Sequence, residues 1–131
     1  MGMDSISRLI SIVDDDPLVR EGLISLMRSA GFATQAFASA EEFLSLAHRD
    51  EIACLILDVG LPGISGLELQ SQLTTTVSNH RTPVVFVTAF DDEVTRQRAL
   101  KGGAVDFLRK PVRRQALLSA VHLALQQNDG P

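Results

Sequence analysis

The sequence contains three short, largely apolar runs, and an acidic or hydroxyl side chain follows each of them directly. Runs of this length beside turn residues are typical of strands that are buried on both faces of a sheet. The runs are residues 9–13, 54–57 and 83–87, and the polar residues that follow them are Asp14, Asp58 and Thr88. Open α/β sheets keep their functional residues at the carboxyl ends of parallel strands, so these three residues are candidates for a site.

Segments with apolar residues at helical spacing separate the strands. Asp16 before a proline predicts the N-cap of a first helix, and Ser39 with Glu42 forms a capping-box pattern that starts a second helix. Weaker, mixed runs at residues 33–37 and 105–108 complete a set of five predicted strands. Alternating strands and helices without long linkers predict an α/β domain built on a parallel sheet.

The composition of the strands also predicts their order. Strands buried on both faces are apolar, so the three apolar runs should be central and the two mixed runs should lie at the edges. The doubly wound, flavodoxin-like (βα)5 arrangement with strand order 2-1-3-4-5 meets this requirement, and its switch point lies between strands 1 and 3. This five-stranded parallel sheet would bring Asp14, Asp15 and Asp58 together, with Thr88 and Lys110 on the adjoining strands.

Composition argues against several classes of function. The net charge is −4 and the sequence has no tryptophan or tyrosine, so direct binding of nucleic acid by this segment is not expected. No apolar stretch reaches the length of a membrane span, and the first residues do not form a secretory signal, which predicts a cytoplasmic protein without membrane association. The single cysteine, Cys54, lies in a predicted core strand and is interpreted as a small hydrophobic residue.

Five short motifs, in their order and spacing, resemble the receiver domain of two-component response regulators. The motifs are Ile12-Val13-Asp14-Asp15-Asp16, Leu57-Asp58, Leu61-Pro62-Gly63, Val87-Thr88-Ala89 and Phe107-Leu108-Arg109-Lys110-Pro111. The stretch from Gly103 to Phe107 is further similar to receivers of the FixJ/LuxR-type group, which usually precede a helix-turn-helix output domain. The resemblance predicts a receiver (phosphoacceptor) domain over residues 9–127, with an N-terminal extension of residues 1–8 and a C-terminal tail of residues 128–131.

The resemblance implies that Asp58 accepts a phosphoryl group from the phosphohistidine of a sensor histidine kinase. A carboxylate is a suitable nucleophile for this transfer, provided that the negative charge of the phosphoryl group is neutralised. The family binds Mg²⁺ for that purpose, and Mn²⁺ serves as a substitute. Asp14, Asp15 and Asp58 match the metal-binding carboxylates and the backbone carbonyl of Gly60 matches a further ligand, in keeping with the preference of Mg²⁺ for oxygen.

Further residues match positions that contact the phosphoryl group or respond to it. Lys110 is expected to pair with the phosphoryl oxygens and to form a cis peptide bond with Pro111, and the Thr88 hydroxyl is expected to hydrogen-bond one of these oxygens. Thr88 and Phe107 match the family's switch residues, with the ring of Phe107 turning inward when Thr88 moves. Core packing is the ordinary alternative for Phe107.

The predicted switch changes the face formed by the fourth helix, the fifth strand and the fifth helix. The fourth helix, expected over Asp91–Lys101, offers only Val94, Ala99 and Leu100 as an apolar stripe. Few buried contacts imply low local stability, so this helix should be reoriented at small cost. The same face is the expected site of homodimerisation or of contact with an output domain or partner. DNA would be bound only through an output domain outside this sequence, in the regulation of transcription.

Two residues near the predicted site depart from common family patterns. Gly60 lacks the longer side chain that many receivers carry, and the apolar Phe90, two residues after Thr88, would restrict water near an acyl phosphate. Both features predict slow self-dephosphorylation. Beyond self-phosphotransfer from phosphohistidine and this slow hydrolysis, no enzyme activity is expected.

Two other interpretations use the same residues. The Asp14-x-Asp16 pattern after an apolar strand resembles the motif of haloacid-dehalogenase-type phosphatases, with Asp14 as nucleophile and Asp16 as acid/base. Pro17 and Thr88 depart from that pattern, and a helix cap is the ordinary reading of Asp16. The second alternative is a phosphorylation-independent pseudo-receiver that acts only as an interaction module, and the intact set of site residues argues against it.

Overall fold

The computed structural model describes residues 8–47, 51–74 and 82–129, and strands and helices alternate along these ranges. The strands are β1 (Leu9–Val13), β2 (Ala33–Phe37), β3 (Ile52–Leu57), β4 (Val84–Thr88) and β5 (Asp106–Arg109). The helices are α1 (Pro17–Ser29), α2 (Ala40–Leu46), α3 (Gly66–Thr74), α4 (Glu93–Lys101) and α5 (Arg114–Asp129).

The five strands form one parallel sheet in the order β2-β1-β3-β4-β5, which confirms the predicted topology. Every residue of β3 and β4 is buried, whereas β2 and β5 mix buried and accessible positions. The edge and central assignments are therefore correct, because burial on both faces requires apolar side chains throughout a strand.

Helices cover both faces of the sheet and create two cores. Leu23 and Met27 of α1 and Leu117 of α5 pack with one set of alternating strand residues. Phe43 of α2 and Leu69 of α3 pack with the opposite set. Side chains of successive strand residues point to opposite faces, so each central strand contributes to both cores.

Cys54 lies in the first of these cores, as predicted, and is completely buried. Burial in apolar surroundings raises the pKa of its thiol to about 12, because the thiolate loses its hydration. The thiol therefore packs as a small hydrophobic group.

Local hydrogen bonds start two of the helices. The Ser39 hydroxyl accepts the amide of Glu42 at 3.1 Å, and the Glu42 carboxylate accepts the amide of Ala38 at 2.9 Å, one residue earlier than in a standard capping box. A full capping box starts α3, where the Ser65 hydroxyl accepts the amide of Glu68 at 3.1 Å and the Glu68 carboxylate accepts the amide of Ser65 at 2.9 Å.

The fourth helix differs in detail from the expectation. It begins at Glu93, and not at Asp91 as predicted, because the Asp92 carboxylate accepts the amide of Thr95 at 3.1 Å and forms the N-cap. Val94 does not join Ala99 in a packed stripe, since its side chain is 69% exposed. Contact with the core is therefore concentrated toward the C-terminal end of α4.

None of the helices within the described ranges has the length and apolar character needed to cross a membrane. Most of the predicted N-terminal extension, residues 1–7, and the last two residues of the predicted C-terminal tail lie outside those ranges. The predicted domain boundaries at residues 9 and 127 stay a prediction.

Candidate functional site

Two buried carboxylates lie side by side at the carboxyl end of the sheet. The last residues of β1 and β3, Val13 and Leu57, are paired in register, so Asp14 and Asp58 follow on neighbouring strands. The amide of Asp58 donates to the carbonyl of Val13 at 3.1 Å and continues the ladder. Asp14 is 1% exposed and Asp58 is 7% exposed. Charged groups are this buried only where a partner compensates for lost hydration.

A third carboxylate completes an acidic cluster, which consists of Asp14, Asp15 and Asp58. One oxygen atom of each carboxylate lies within 4.8 Å of the others, and Asp15 is exposed to solvent. Asp16 does not belong to this cluster, because its carboxylate caps α1 by accepting the amide of Leu18 at 2.9 Å. The cap interpretation of Asp16 is confirmed.

Lys110 brings a positive charge to the acidic cluster. Its Nζ atom lies 2.8 Å from Asp14 Oδ2 and donates a hydrogen bond to Asp58 Oδ2 at 3.0 Å. The backbone positions this side chain through a hydrogen bond from the Lys110 amide to the Thr88 carbonyl at 2.9 Å. The peptide bond between Lys110 and Pro111 is cis, as predicted.

Burial and ion pairing shift the pKa values of Asp14 and Lys110 in opposing directions. Burial raises the pKa of Asp14, and the neighbouring Asp58 charge adds to this, whereas Lys110 and the Asp16 amide oppose it without cancelling it. Burial lowers the pKa of Lys110, but its contacts with Asp14 and Asp58 outweigh that effect, so the net shift is upward. The lysine therefore remains an ammonium ion, and its charge does not fully offset the cost of burying the Asp14 carboxylate.

One oxygen atom of Asp14 is poorly satisfied. Its Oδ1 accepts the Asp16 amide at 2.9 Å, but the buried Oδ2 has no hydrogen-bond partner among the described residues. Its compensation within the described residues is the ion pair with Lys110 Nζ, which lies 2.8 Å away. A buried oxygen of this kind beside two other carboxylates suits a hard cation such as Mg²⁺.

Thr88, Phe90 and Gly60 lie at the same end of the sheet. Thr88 is completely buried at the end of β4, and its hydroxyl accepts the amide of Phe90 at 3.2 Å. The Phe90 ring, which is 55% exposed, lies over Gly60, where any β-carbon would overlap it. The amide of Gly60 donates to Asp58 Oδ1 at 3.2 Å, so the Phe90 ring covers the backbone segment that positions the Asp58 carboxylate.

Phe107 lies on the neighbouring edge strand and is 8% exposed. Its ring centroid is 5.9 Å from that of Phe86, and both rings belong to the core beneath α2, α3 and α4. The ring is thus already inward in this conformation, and its role as a switch stays a prediction.

Comparison with known proteins decides the family. The model of the response regulator receiver domain matches residues 10–122, which is most of the chain. The chain belongs to the response regulator receiver domain family.

Similar proteins support the more specific FixJ-type assignment of this receiver domain. Nodulation protein W of Bradyrhizobium diazoefficiens is 44% identical over 124 residues, covering 95% of this chain and 54% of that protein. FixJ of Azorhizobium caulinodans is 37% identical over 116 residues, covering 88% and 54% respectively. The solved structure of the response regulator StyR superposes with a TM-score of 0.84 at 47% identity, covering 93% of this chain and 61% of that one.

The receiver domain spans about half the length of these curated relatives. The comparisons do not support the phosphatase or the pseudo-receiver alternative.

Two contacts of the receiver site were not anticipated. The Arg20 guanidinium donates to the Asp14 carbonyl at 2.7 Å. Arg20 lies one turn into α1, and this position in the sequence is the feature that indicates the contact. The Glu41 carboxylate accepts the amide of Ile64 at 3.0 Å and occupies the space that a side chain on Gly63 would need. Nothing local in the sequence indicates this contact, because the two segments are far apart along the chain.

Proposed function

We propose that this receiver domain is a switch activated by phosphorylation of Asp58, with the phosphohistidine of a sensor histidine kinase as the donor. The observation that carries the proposal is the position of the Lys110 ammonium, which contacts both Asp14 and Asp58 at the carboxyl end of the sheet. A buried carboxylate beside a fixed positive charge is equipped to receive an anionic group.

The transfer replaces one bond to phosphorus with another. An Asp58 carboxylate oxygen forms a bond to phosphorus while the bond from phosphorus to the imidazole nitrogen breaks, and the imidazole keeps the electron pair. The product is an acyl phosphate on Asp58 and a histidine with its ring nitrogen free. Lys110 then moves its hydrogen bond from the carboxylate to the phosphoryl oxygens, and the Thr88 hydroxyl hydrogen-bonds another of these oxygens.

The acidic cluster is the proposed site for Mg²⁺, with Mn²⁺ as a substitute. Asp14, Asp15 and Asp58 would hold the ion, together with the backbone carbonyl of Gly60. The fit rests on the buried Asp14 Oδ2, which has the Lys110 ion pair but no hydrogen bond among the described residues, and on carboxylate oxygens within 4.8 Å of each other. When bound, the ion supplies the positive charge that offsets the phosphoryl oxygens.

The proposed response to phosphorylation involves Thr88 and Phe107. The Thr88 hydroxyl accepts the Phe90 amide at 3.2 Å in this structure and keeps its own proton available, so donating to a phosphoryl oxygen would draw the hydroxyl and the attached Phe90 backbone toward Asp58. That change would bias the face formed by α4, β5 and α5 between two arrangements. We propose this face as the surface for homodimerisation or for contact with an output domain.

Gly60 and Phe90 are proposed to set the lifetime of the acyl phosphate. The Phe90 ring lies over Gly60, whose amide contacts the Asp58 carboxylate, and shields one approach to that carboxylate. Water is the nucleophile that would hydrolyse the acyl phosphate, so an apolar cover without a polar group to orient water makes self-dephosphorylation slow.

The wider role is the control of transcription in the cytoplasm. The relatives that carry this domain include FixJ, named a transcriptional regulatory protein, of which this chain covers 54%. We propose that DNA is contacted only by an output domain of the same regulator.

Labelling of Asp58 with acetyl phosphate and Mg²⁺, measured by intact mass, tests the proposal. The wild type should gain the mass of one phosphoryl group, and Asp58→Asn should gain none. Asp91→Asn serves as the matched control, since Asp91 is exposed, pairs with Arg109 and is not a member of the acidic cluster. An unlabelled wild type, or continuous turnover of a generic phosphate ester, would contradict the proposed function.

A further inference from the structure

Helix α4 contacts the core mainly at its C-terminal end. Ala99 is its fully buried residue, and Leu100 packs partly against the same core. Toward the other end of the helix, Val94 is 69% exposed and the N-cap Asp92 is also exposed. The C-terminal end of α4 is therefore the firm end, with the higher local stability, and the N-terminal end has the lower local stability.

A buried side chain from α3 reinforces the firm end. Gln70 is 5% exposed, and its Nε2 atom donates to the carbonyl of Ala99 at 2.9 Å. The same carbonyl accepts the amide of Ala104 at 3.1 Å. Carbonyls in the last turn of a helix lack partners within the helix, so Gln70 satisfies a group that would otherwise depend on the loop alone.

Gly102 makes room for this contact. Its backbone has φ −76° and ψ −1°, which any residue adopts, so backbone conformation does not require glycine there. A β-carbon on Gly102 would lie 2.8 Å from Gln70 Oε1 and would displace the amide from Ala99. The adjacent Gly103 differs, since its φ of 102° does favour glycine.

We infer that Gln70 is a positioning residue that anchors the C-terminal turn of α4 to α3, so that phosphorylation reorients α4 about this end. The inference rests on the proposed switch function and specifies its pivot. Helix α3 begins at the end of the loop that follows Asp58. The anchor therefore joins α4 to the element that follows the phosphoacceptor in the chain.

Amide exchange in the unphosphorylated protein, measured by NMR, tests the anchor. In Gln70→Leu, the protection of the Gly102 and Ala104 amides should fall by about fivefold to tenfold, the expected effect of losing one buried hydrogen bond. Gln115→Leu, at an exposed glutamine of α5, is the matched control and should leave both amides unchanged. Wild-type protection in Gln70→Leu would overturn the inference.

A double-mutant cycle tests the same contact without depending on one variant. Gly102→Ala should reduce the protection of Ala104 in the wild-type background, because the new methyl group displaces the Gln70 amide. In a Gln70→Ala background the same substitution should cause no further loss. Equal losses in both backgrounds would show that Gly102 and Gln70 act independently, which overturns the inference.

Phosphorylation with acetyl phosphate and Mg²⁺ tests the pivot. In the wild type, phosphorylation should change the exchange rates of amides near Val94, while the amides of Gly102 and Ala104 stay protected. In Gln70→Leu, the change in exchange should extend to the C-terminal turn of α4. If amide protection in the wild type falls equally at both ends of α4, the pivot alone is overturned. A labelled wild type whose α4 does not respond overturns the proposed switch and the pivot together.

Discussion

Lys110 contacts two carboxylates that follow different strands, and these contacts determine the charge balance of the site. Its ammonium group lies 2.8 Å from Asp14 Oδ2 and 3.0 Å from Asp58 Oδ2. One positive charge faces three carboxylates of the acidic cluster, so negative charge remains in excess. We expect a cation to bind the carboxylates and offset this excess of negative charge. We expect a phosphoryl group to pair with the Lys110 ammonium.

Removing the lysine tests its role in the transfer. We expect Lys110→Ala to lower the rate of Asp58 labelling by acetyl phosphate by roughly 100-fold, the usual effect of losing one fixed charge or donor at a developing anion. The initial rate of mass gain at saturating Mg²⁺ measures this. Lys101→Ala, at an exposed residue in the last turn of α4, should keep the wild-type rate. A rate for Lys110→Ala equal to that of the control would exclude the lysine from the transfer.

Phe90 offers a prediction about the lifetime of the phosphorylated state. Phe90→Ala uncovers Gly60, and water then reaches the acyl phosphate more freely. We expect hydrolysis to accelerate by up to about tenfold, equivalent to a barrier lower by about 1.4 kcal/mol. Loss of the label after removal of acetyl phosphate gives the rate. Leu46→Ala, a comparably exposed apolar residue on α2, provides the comparison and should not alter the lifetime. An unchanged lifetime in Phe90→Ala would refute the shielding role.

At the scale of elements, the starts of α1 and α4 show how local chemistry sets helix boundaries. Asp16 and Asp92 each accept an amide from the first turn of the helix that follows. Each N-cap satisfies backbone donors that have no partner within the helix. The same reasoning separates Asp16 from the acidic cluster, although it adjoins Asp15 in the sequence.

Substitution of Asp16 distinguishes the cap from a catalytic residue. Asp16→Ala should lower the free energy of unfolding by about 1 kcal/mol, the typical value of an N-cap, and Asp16→Ser should restore most of it. Urea denaturation followed by circular dichroism measures the difference. Labelling of Asp58 should persist in both variants. Loss of labelling in Asp16→Ser would instead assign the carboxylate a role in the chemistry.

At the scale of the whole molecule, the sheet places residues from three strand ends around one point. Asp14, Asp58 and Lys110 lie far apart in the sequence, so their contact exists only when β1, β3 and β5 are assembled. A ligand that binds this assembled site and not the unfolded chain must stabilise the fold.

Mg²⁺ should therefore raise the stability of the entire domain. At a concentration about 100 times its dissociation constant, the gain should be about 2.7 kcal/mol. Thermal unfolding with Mg²⁺ and with a chelator measures the shift, at constant ionic strength. In Asp14→Asn the shift should largely disappear, whatever the stability of the variant without the ion. A shift of the same size in Asp14→Asn would remove Asp14 from the proposed ligand set.

The sequence alone was sufficient for the parallel sheet, its strand order and the positions of Asp14 and Asp58 at strand ends. Apolar and mixed strands differ in composition because central and edge positions differ in burial, and that difference is visible residue by residue. The resemblance to receiver domains, carried by short motifs, added the pairing of Lys110 with the site.

Other features depended on tertiary structure. The overlap of Phe90 with Gly60, the carboxylate of Glu41 on Gly63 and the amide of Gln70 against Gly102 each join distant segments. A glycine in the sequence does not reveal whether it serves a positive φ or leaves room for a neighbour, because the neighbour is chosen by the packing of other elements. Gly102 and Gly103 stand side by side and serve these two different purposes.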